Sequence, residues 1–117
     1  MSIINDWWGE ANMECFKPES TSYNCSDKNA LIVSIDKIEP INRTIEGYEE
    51  GCEKGRFLRI CEGLIKGDCL PAIEVNLLED SNGIYKYKLY HGYHRWFIST
   101  KAGLSAIPVI IKEVVQI

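Results

Sequence analysis

The sequence lacks any apolar run approaching the ~20 residues that a membrane-crossing helix requires, so no span is expected. It also lacks the basic start and long apolar stretch of a secretory signal. Met1-Ser-Ile-Ile-Asn-Asp-Trp-Trp8 opens with an acid and two aromatics instead, which makes the cytoplasm the expected location. Its five cysteines are odd in number and contain no Cys-x-x-Cys pair, which argues against both a closed disulfide framework and a zinc knuckle. Cys52, Cys61 and Cys69 sit among apolar neighbours and are expected to be small core hydrophobes. Cys15 and Cys25 are expected as free thiols, although a loop could bring them together. Positive charge is in deficit as well. Thirteen Lys and Arg against seventeen Asp and Glu give a net charge of −4, which opposes sequence-independent binding to nucleic acid.

What the chain does have is the make-up of one ordinary globular domain. At 117 residues it is too short for two domains, and 45% hydrophobic residues are enough for a core. Residues 1–29 mix Trp7, Trp8 and Phe16 with Pro18, Ser20, Thr21 and Ser22, showing no sustained period of 2 or 3.6. They read as an irregular N-terminal arm. Two adjacent tryptophans are costly to leave in water, so the arm is expected to fold back on the body or to cover a protein partner or a second copy of the chain.

Residues 30–117 read as an α/β (α+β) domain with a small mixed sheet. Leu31-Ile-Val-Ser-Ile35 is β-branched and is followed by Pro40, predicting a strand and its exit. Phe57, Leu58, Cys61, Leu64 and Ile65 recur at helical spacing and predict a helix that stops at Gly67. Leu70–Leu78 and Ile84–His91 alternate around Asn82-Gly83 and predict a β-hairpin, with Tyr85, Tyr87, Leu89 and His91 on one face. Gly92 breaks the second strand. A helix is predicted from Tyr93 to Ala102, stopped by Gly103, and a final strand over Ala106–Val115.

The chemistry concentrates at Tyr90-His-Gly-Tyr-His-Arg95, where a strand ends, a glycine allows a sharp turn and a helix begins. Backbone N–H groups and the positive end of the helix dipole converge there. His94 and Arg95 are donors at the end of the helix where the dipole helps them least, an arrangement that makes sense around an anion such as phosphate. Capping of a surface turn, or pairing with glutamates, accounts for the same residues without a ligand.

Taken in order, Ile35-Asp-Lys-Ile-Glu-Pro40, a helix closing in Ile65-Lys-Gly67, Leu70-Pro-Ala-Ile-Glu-Val75, a hairpin, His91-Gly-Tyr-His-Arg95 and Ala102-Gly-Leu-Ser-Ala-Ile-Pro-Val-Ile-Ile111 resemble the ParB and sulfiredoxin superfamily. The likeness spans residues 31 to 115. It implies a site for a nucleoside triphosphate, ATP or CTP, with its phosphates on the turn of Gly92, Tyr93, His94 and Arg95. Gly92 would admit the phosphate to the backbone and His94 and Arg95 would hold its oxygens. Arg43, and more weakly Lys54, are candidates for further basic groups.

Hydrolysis or phosphoryl transfer would need an acid–base group. Histidine is the side chain suited to acid–base work near neutral pH, which makes His91 a candidate, and Glu39, which follows the first strand, is a candidate base or magnesium anchor. Tyr85, Tyr87, Tyr90 and Tyr93 are candidates for stacking a base. The reactive cysteine of sulfiredoxins falls at Tyr93, whose phenol cannot perform that chemistry, and with Ile117 the last residue of the sequence the helix-turn-helix of partitioning proteins is not expected. Two other functions remain as expectations: a DNA-associated, nuclease-like protein, and a non-enzymatic interaction module of a mobile element that docks through the Trp7-Trp8 arm.

Overall fold

Each element can be traced to a local cause. The structure, a computed structural model, describes residues 3–39, 53–79 and 83–116. Among these the architecture is α+β: three helices on a curled, five-stranded mixed sheet. The helices are α1 (Ile3–Glu10), α2 (Lys54–Lys66) and α3 (Tyr93–Lys101). The strands are β1 (Leu31–Ser34), β2 (Ile38–Glu39), β3 (Ile73–Glu79), β4 (Tyr87–His91) and β5 (Ala106–Gln116).

The sheet order is β1-β5-β3-β4-β2. β1 pairs antiparallel with β5, β5 parallel with β3, β3 antiparallel with β4, and β4 parallel with β2. β1 and β2 are therefore opposite edges of one sheet, yet only the single 3-10 turn Ile35–Lys37 separates them in sequence. In a flat sheet those edges would stand four spacings of about 4.8 Å apart. A 3-10 turn rises only about 2 Å per residue. The sheet must curl to bring its edges together. Backbone bonds fasten the turn on both sides, Ile35 N–H to the Ser105 carbonyl (2.9 Å) and Lys86 N–H to the Lys37 carbonyl (2.8 Å).

The expected hairpin is present as β3 and β4, although β4 begins at Tyr87 and Ile84 is left exposed. Two irregularities alter the faces. Val75 pairs with Leu89 but Glu74 pairs with His91, so Tyr90 is an extra, unpaired residue, and the bulge sets His91 beside Glu74 rather than on the Leu89 face. In the same way Val75 pairs with Ile111 but Asn76 with Glu113, which makes Lys112 the extra residue of β5.

α2 forms where the apolar stripe predicts it. Its N-cap is Glu53, whose carboxylate accepts from Gly55 N–H (3.1 Å) and Arg56 N–H (3.0 Å), and these bonds hold the carboxyl below its usual range. Its C-cap is Gly67 at φ 74°, where the left-handed conformation suits glycine. The buried stripe is Phe57, Ile60, Cys61 and Gly63. Ile65, expected within the stripe, is exposed, because the helix is rotated to put Phe57 and Cys61 at the centre. Burial pushes the Cys61 thiol up to about 12, as befits an inert core residue. Cys69, expected in the core, is exposed at the start of the loop into β3, and Cys15, Cys25, Cys61 and Cys69 are all free. Cys52 lies outside the described residues.

The arm differs most from expectation, since its first eight described residues form α1. Ile4, Trp7, Trp8 and Ala11 share one face of that helix and its exit, and this face packs on α2. The rings of Trp7 and Trp8 meet Phe57 edge-on at 5.5 and 6.2 Å, and the Lys101 ammonium lies 5.0 Å from the centre of a Trp8 ring. Residues 11–29 then follow the body irregularly. Tyr23 is buried in the sheet core with Ile35, Ile73, Val75, Trp96, Ile107 and Val109. As expected, the arm folds back on the domain.

Phe57 is completely buried at the centre of the three-helix layer. Phe57→Ala is expected to lower unfolding stability by about 3–5 kcal/mol, measured by urea denaturation, and to shift the emission of Trp7 and Trp8. A loss below about 1 kcal/mol would mean that the helical layer does not depend on this ring.

Candidate functional site

The strand–glycine–helix corner forms as the sequence predicts, and Gly92 is its pivot. Gly92 has φ 107° and serves as the N-cap of α3, with its carbonyl accepting from Trp96 N–H at 3.0 Å. A Cβ on Gly92 would lie 2.7 Å from Ile73 Cγ2 and 3.1 Å from Arg95 Nη2. The close approach that requires glycine is therefore to the start of β3 and to the folded-back guanidinium. This internal packing by itself requires glycine at position 92, which also borders the cleft where the phosphate is expected.

Beside Gly92 lies a cleft of about 290 Å³ between the N-terminal ends of α2 and α3 and the end of β4. Ile60 and Leu89 supply its apolar lining. Its polar lining comes from Arg56, His91, His94 and Arg95, and no described carboxylate borders it. The two helix ends differ. α2 is capped by its own Glu53 carboxylate, while α3 begins on a glycine with no side chain to cap it. The uncompensated helix dipole and the cations thus act on the same space.

Arg95 turns back across the glycine. Its Nη2 donates to the Ala72 carbonyl at 3.4 Å, and its charge acts on the nearby Tyr23 phenol, whose hydroxyl donates to the Pro71 carbonyl at 2.6 Å. Burial drives the Tyr23 phenol well above its usual range, and the Arg95 charge opposes that shift. Arg95 Nε is buried with no hydrogen-bond partner among the described residues.

His94 joins the two helix ends, its Nε2 accepting from Glu53 N–H at 2.7 Å. An accepting Nε2 fixes the neutral tautomer with its proton on Nδ1. Desolvation, reinforced by Arg56 and Arg95 and opposed by Glu53, lowers the His94 pKa from its ordinary value, so the ring is neutral at physiological pH.

The remaining candidates scatter. Tyr93 borders the cleft, but its ring packs against Trp96 (5.9 Å) and Phe97 (6.0 Å). Lys54 pairs with Glu10 of α1 at 3.3 Å and does not line the cleft. His91 borders it as an exposed strand-end residue, with Nδ1 3.7 Å from a Glu74 oxygen whose partner oxygen lies 3.5 Å from Lys112 Nζ. Glu39 sits on β2 in register with Lys88 and does not reach the cleft lining. Arg43 lies outside the described residues. Among the described residues no group of three His, Cys, Asp or Glu side chains is placed to hold a metal ion.

Arg56 is the residue that sequence reasoning missed. It is the third residue after the α2 cap, and its only sequence signal is its place in the first turn beside Lys54. A larger cleft of about 440 Å³ lies at the opposite end of α2, where Lys17, Glu19, Lys66 and Asp68 mix their charges near the helix C-terminus. Carbonyls and mixed charge do not select an anion. No family model matches the chain, and no curated protein matches it in sequence.

His94 gives this site a pH signature. Its pKa is lowered in the folded state, so the unfolded chain binds the extra proton first as pH falls. Its contribution to stability is complete above the unfolded value near 6.5 and is lost as pH drops below it. The urea midpoint is expected to fall between about pH 7.5 and about pH 5.5, and to fall less in His94→Gln, whose amide oxygen can still accept from Glu53 N–H without titrating. Identical pH profiles for the two proteins would exclude this linkage.

Proposed function

We propose that the protein binds a nucleotide by its phosphates in the cleft beside Gly92, as the resemblance to the ParB and sulfiredoxin superfamily implies. The observation that carries this reading is the cleft lining: Arg56, Arg95, His91 and His94 at an uncapped helix N-terminus, with no described carboxylate among them. Arg95 Nε is a buried donor without a partner among the described residues, which fits a group able to accept a hydrogen bond. On this reading Arg56 and Arg95 neutralise the phosphate charge and Nδ1–H of His94 donates to an oxygen, since its Nε2 is committed to Glu53. ATP and CTP are the candidate ligands, with magnesium accompanying the phosphates.

Binding rests on firmer ground than turnover. Of the two acid–base groups expected from the sequence, His91 borders the cleft and Glu39 does not. His91 is therefore the candidate for proton transfer if the terminal phosphoryl is cleaved. The two other functions have less support. The net charge of −4 does not favour a basic groove for DNA, and Trp7 and Trp8 pack on Phe57 of their own chain, which reduces what the arm can offer a partner.

The test is calorimetric titration of ATP and CTP, with magnesium, into the wild type and into Arg56→Ala. Arg56 is exposed and makes no described side-chain bond that the fold needs, so the variant should melt as the wild type does. Loss of a charge-assisted contact should weaken binding by about tenfold or more. Absence of binding to the wild type, or unchanged affinity in Arg56→Ala, would refute the assignment.

A further inference from the structure

Tyr90 is the extra residue in β4, unpaired between the Leu89–Val75 and His91–Glu74 partners, and it borders the same cleft as Arg56, His94 and Arg95. Bulges of this kind re-aim a side chain at a strand end. The result here is a tyrosine 58% exposed to solvent. The other described aromatics near the corner are committed: Tyr93 packs on Trp96 and Phe97, and Tyr23 is buried against Pro71 and Arg95. The side chain of Tyr90 makes no ring contact and no hydrogen bond among the described residues.

The size of the cleft bears on what such a ring could do. At about 290 Å³ it falls just below the ordinary range of small-molecule sites, roughly 300–1,000 Å³. It has room for phosphates near the arginines, but not for those phosphates together with an enclosed base. A nucleotide seated there must carry its base to the rim. Tyr90 is two residues from Gly92, so their Cα atoms are at most about 7 Å apart. That places the phenol ring within a sugar's reach of the turn.

We infer that Tyr90 is the stacking platform for the base, and hence that the ligand is a planar heterocycle joined to phosphate rather than a simple oxyanion. This rests on the nucleotide reading above and adds a specificity-determining residue to it. Stacking on a single ring tolerates purine and pyrimidine alike, since every base has a π-face. The site should therefore distinguish nucleotides from inorganic phosphates more sharply than it distinguishes one base from another.

The experiment compares ATP, CTP and inorganic tripolyphosphate as titrants of the wild type, Tyr90→Ala and Tyr90→Phe, with melting curves to confirm the fold. The wild type should bind both nucleotides at least about tenfold more tightly than tripolyphosphate. Tyr90→Ala should lose that advantage while keeping its affinity for tripolyphosphate, and Tyr90→Phe should retain it. Equal affinity of the wild type for tripolyphosphate and nucleotide, or unchanged nucleotide binding in Tyr90→Ala, would overturn the stacking role while leaving an anion site in place. Failure of the wild type to bind any of the three would overturn the nucleotide reading itself, and this inference with it.

Discussion

Three residues, Ile35–Lys37, carry the chain from one edge of the sheet to the other, and the geometry of the molecule follows from how little distance they can cover. Because β1 and β2 belong to one continuous segment, the strands between their partners must bend until β5 and β4 can both be reached from it. Burial of Ile35 and Ile38 supports the crossing, since both side chains turn into the core that the curl encloses. β2 then lies beside β4 as its edge partner, and the carboxyl end of β4 is left to break at Gly92 into α3. A flatter sheet would separate these ends and leave the turn without its neighbours.

The corner at Gly92 shows how packing and chemistry share residues. The glycine is demanded by Ile73, whose side chain occupies the space a Cβ would need, so the start of α3 is pressed against the start of β3. That pressure also sets Arg95. Its guanidinium folds over the turn and reaches the Ala72 carbonyl, tying α3 to the loop before β3, while its charge acts on the buried Tyr23 of the N-terminal segment. An arginine held in this way loses little freedom when it meets an anion, because the ordering cost is borne by the fold.

Much of this was legible in the sequence, because the signals involved are local. Alternation marked β3 and β4, the stripe through Phe57 and Cys61 marked α2, and the glycines at 67, 92 and 103 marked helix ends. Missing from it were features fixed by partners distant in sequence. The bulges at Tyr90 and Lys112 exist only in the pairing of β4 and β5 with β3, so no single strand reveals them. The exposure of Ile65 depends on which face of α2 meets α1 and α3. α1 spans barely two turns, and its stripe of Ile4, Trp7, Trp8 and Ala11 is too brief to stand out from the irregular residues that follow. The inward turn of Arg95 required knowing that Tyr23, 72 positions earlier, is buried behind it.

The electrostatics of the cleft follow from an asymmetry between two helix ends that lie side by side. Glu53 satisfies the N-terminus of α2 with its carboxylate and then uses its own N–H to hold His94 neutral. Desolvation of the ring is the main reason its pKa falls, and a protonated His94 would in addition face Arg56 and Arg95 as a third cation. The Glu53 carboxylate also interacts with the charges of Arg59 and Arg56, which help to lower its pKa, so it offsets part of the positive charge in the first turns of α2. The end of α3, capped only by glycine, keeps its field. Arg56, His94 and Arg95 thus border one cleft of a protein whose net charge is negative, and the proposed phosphate site relies on these groups being held in place by the fold.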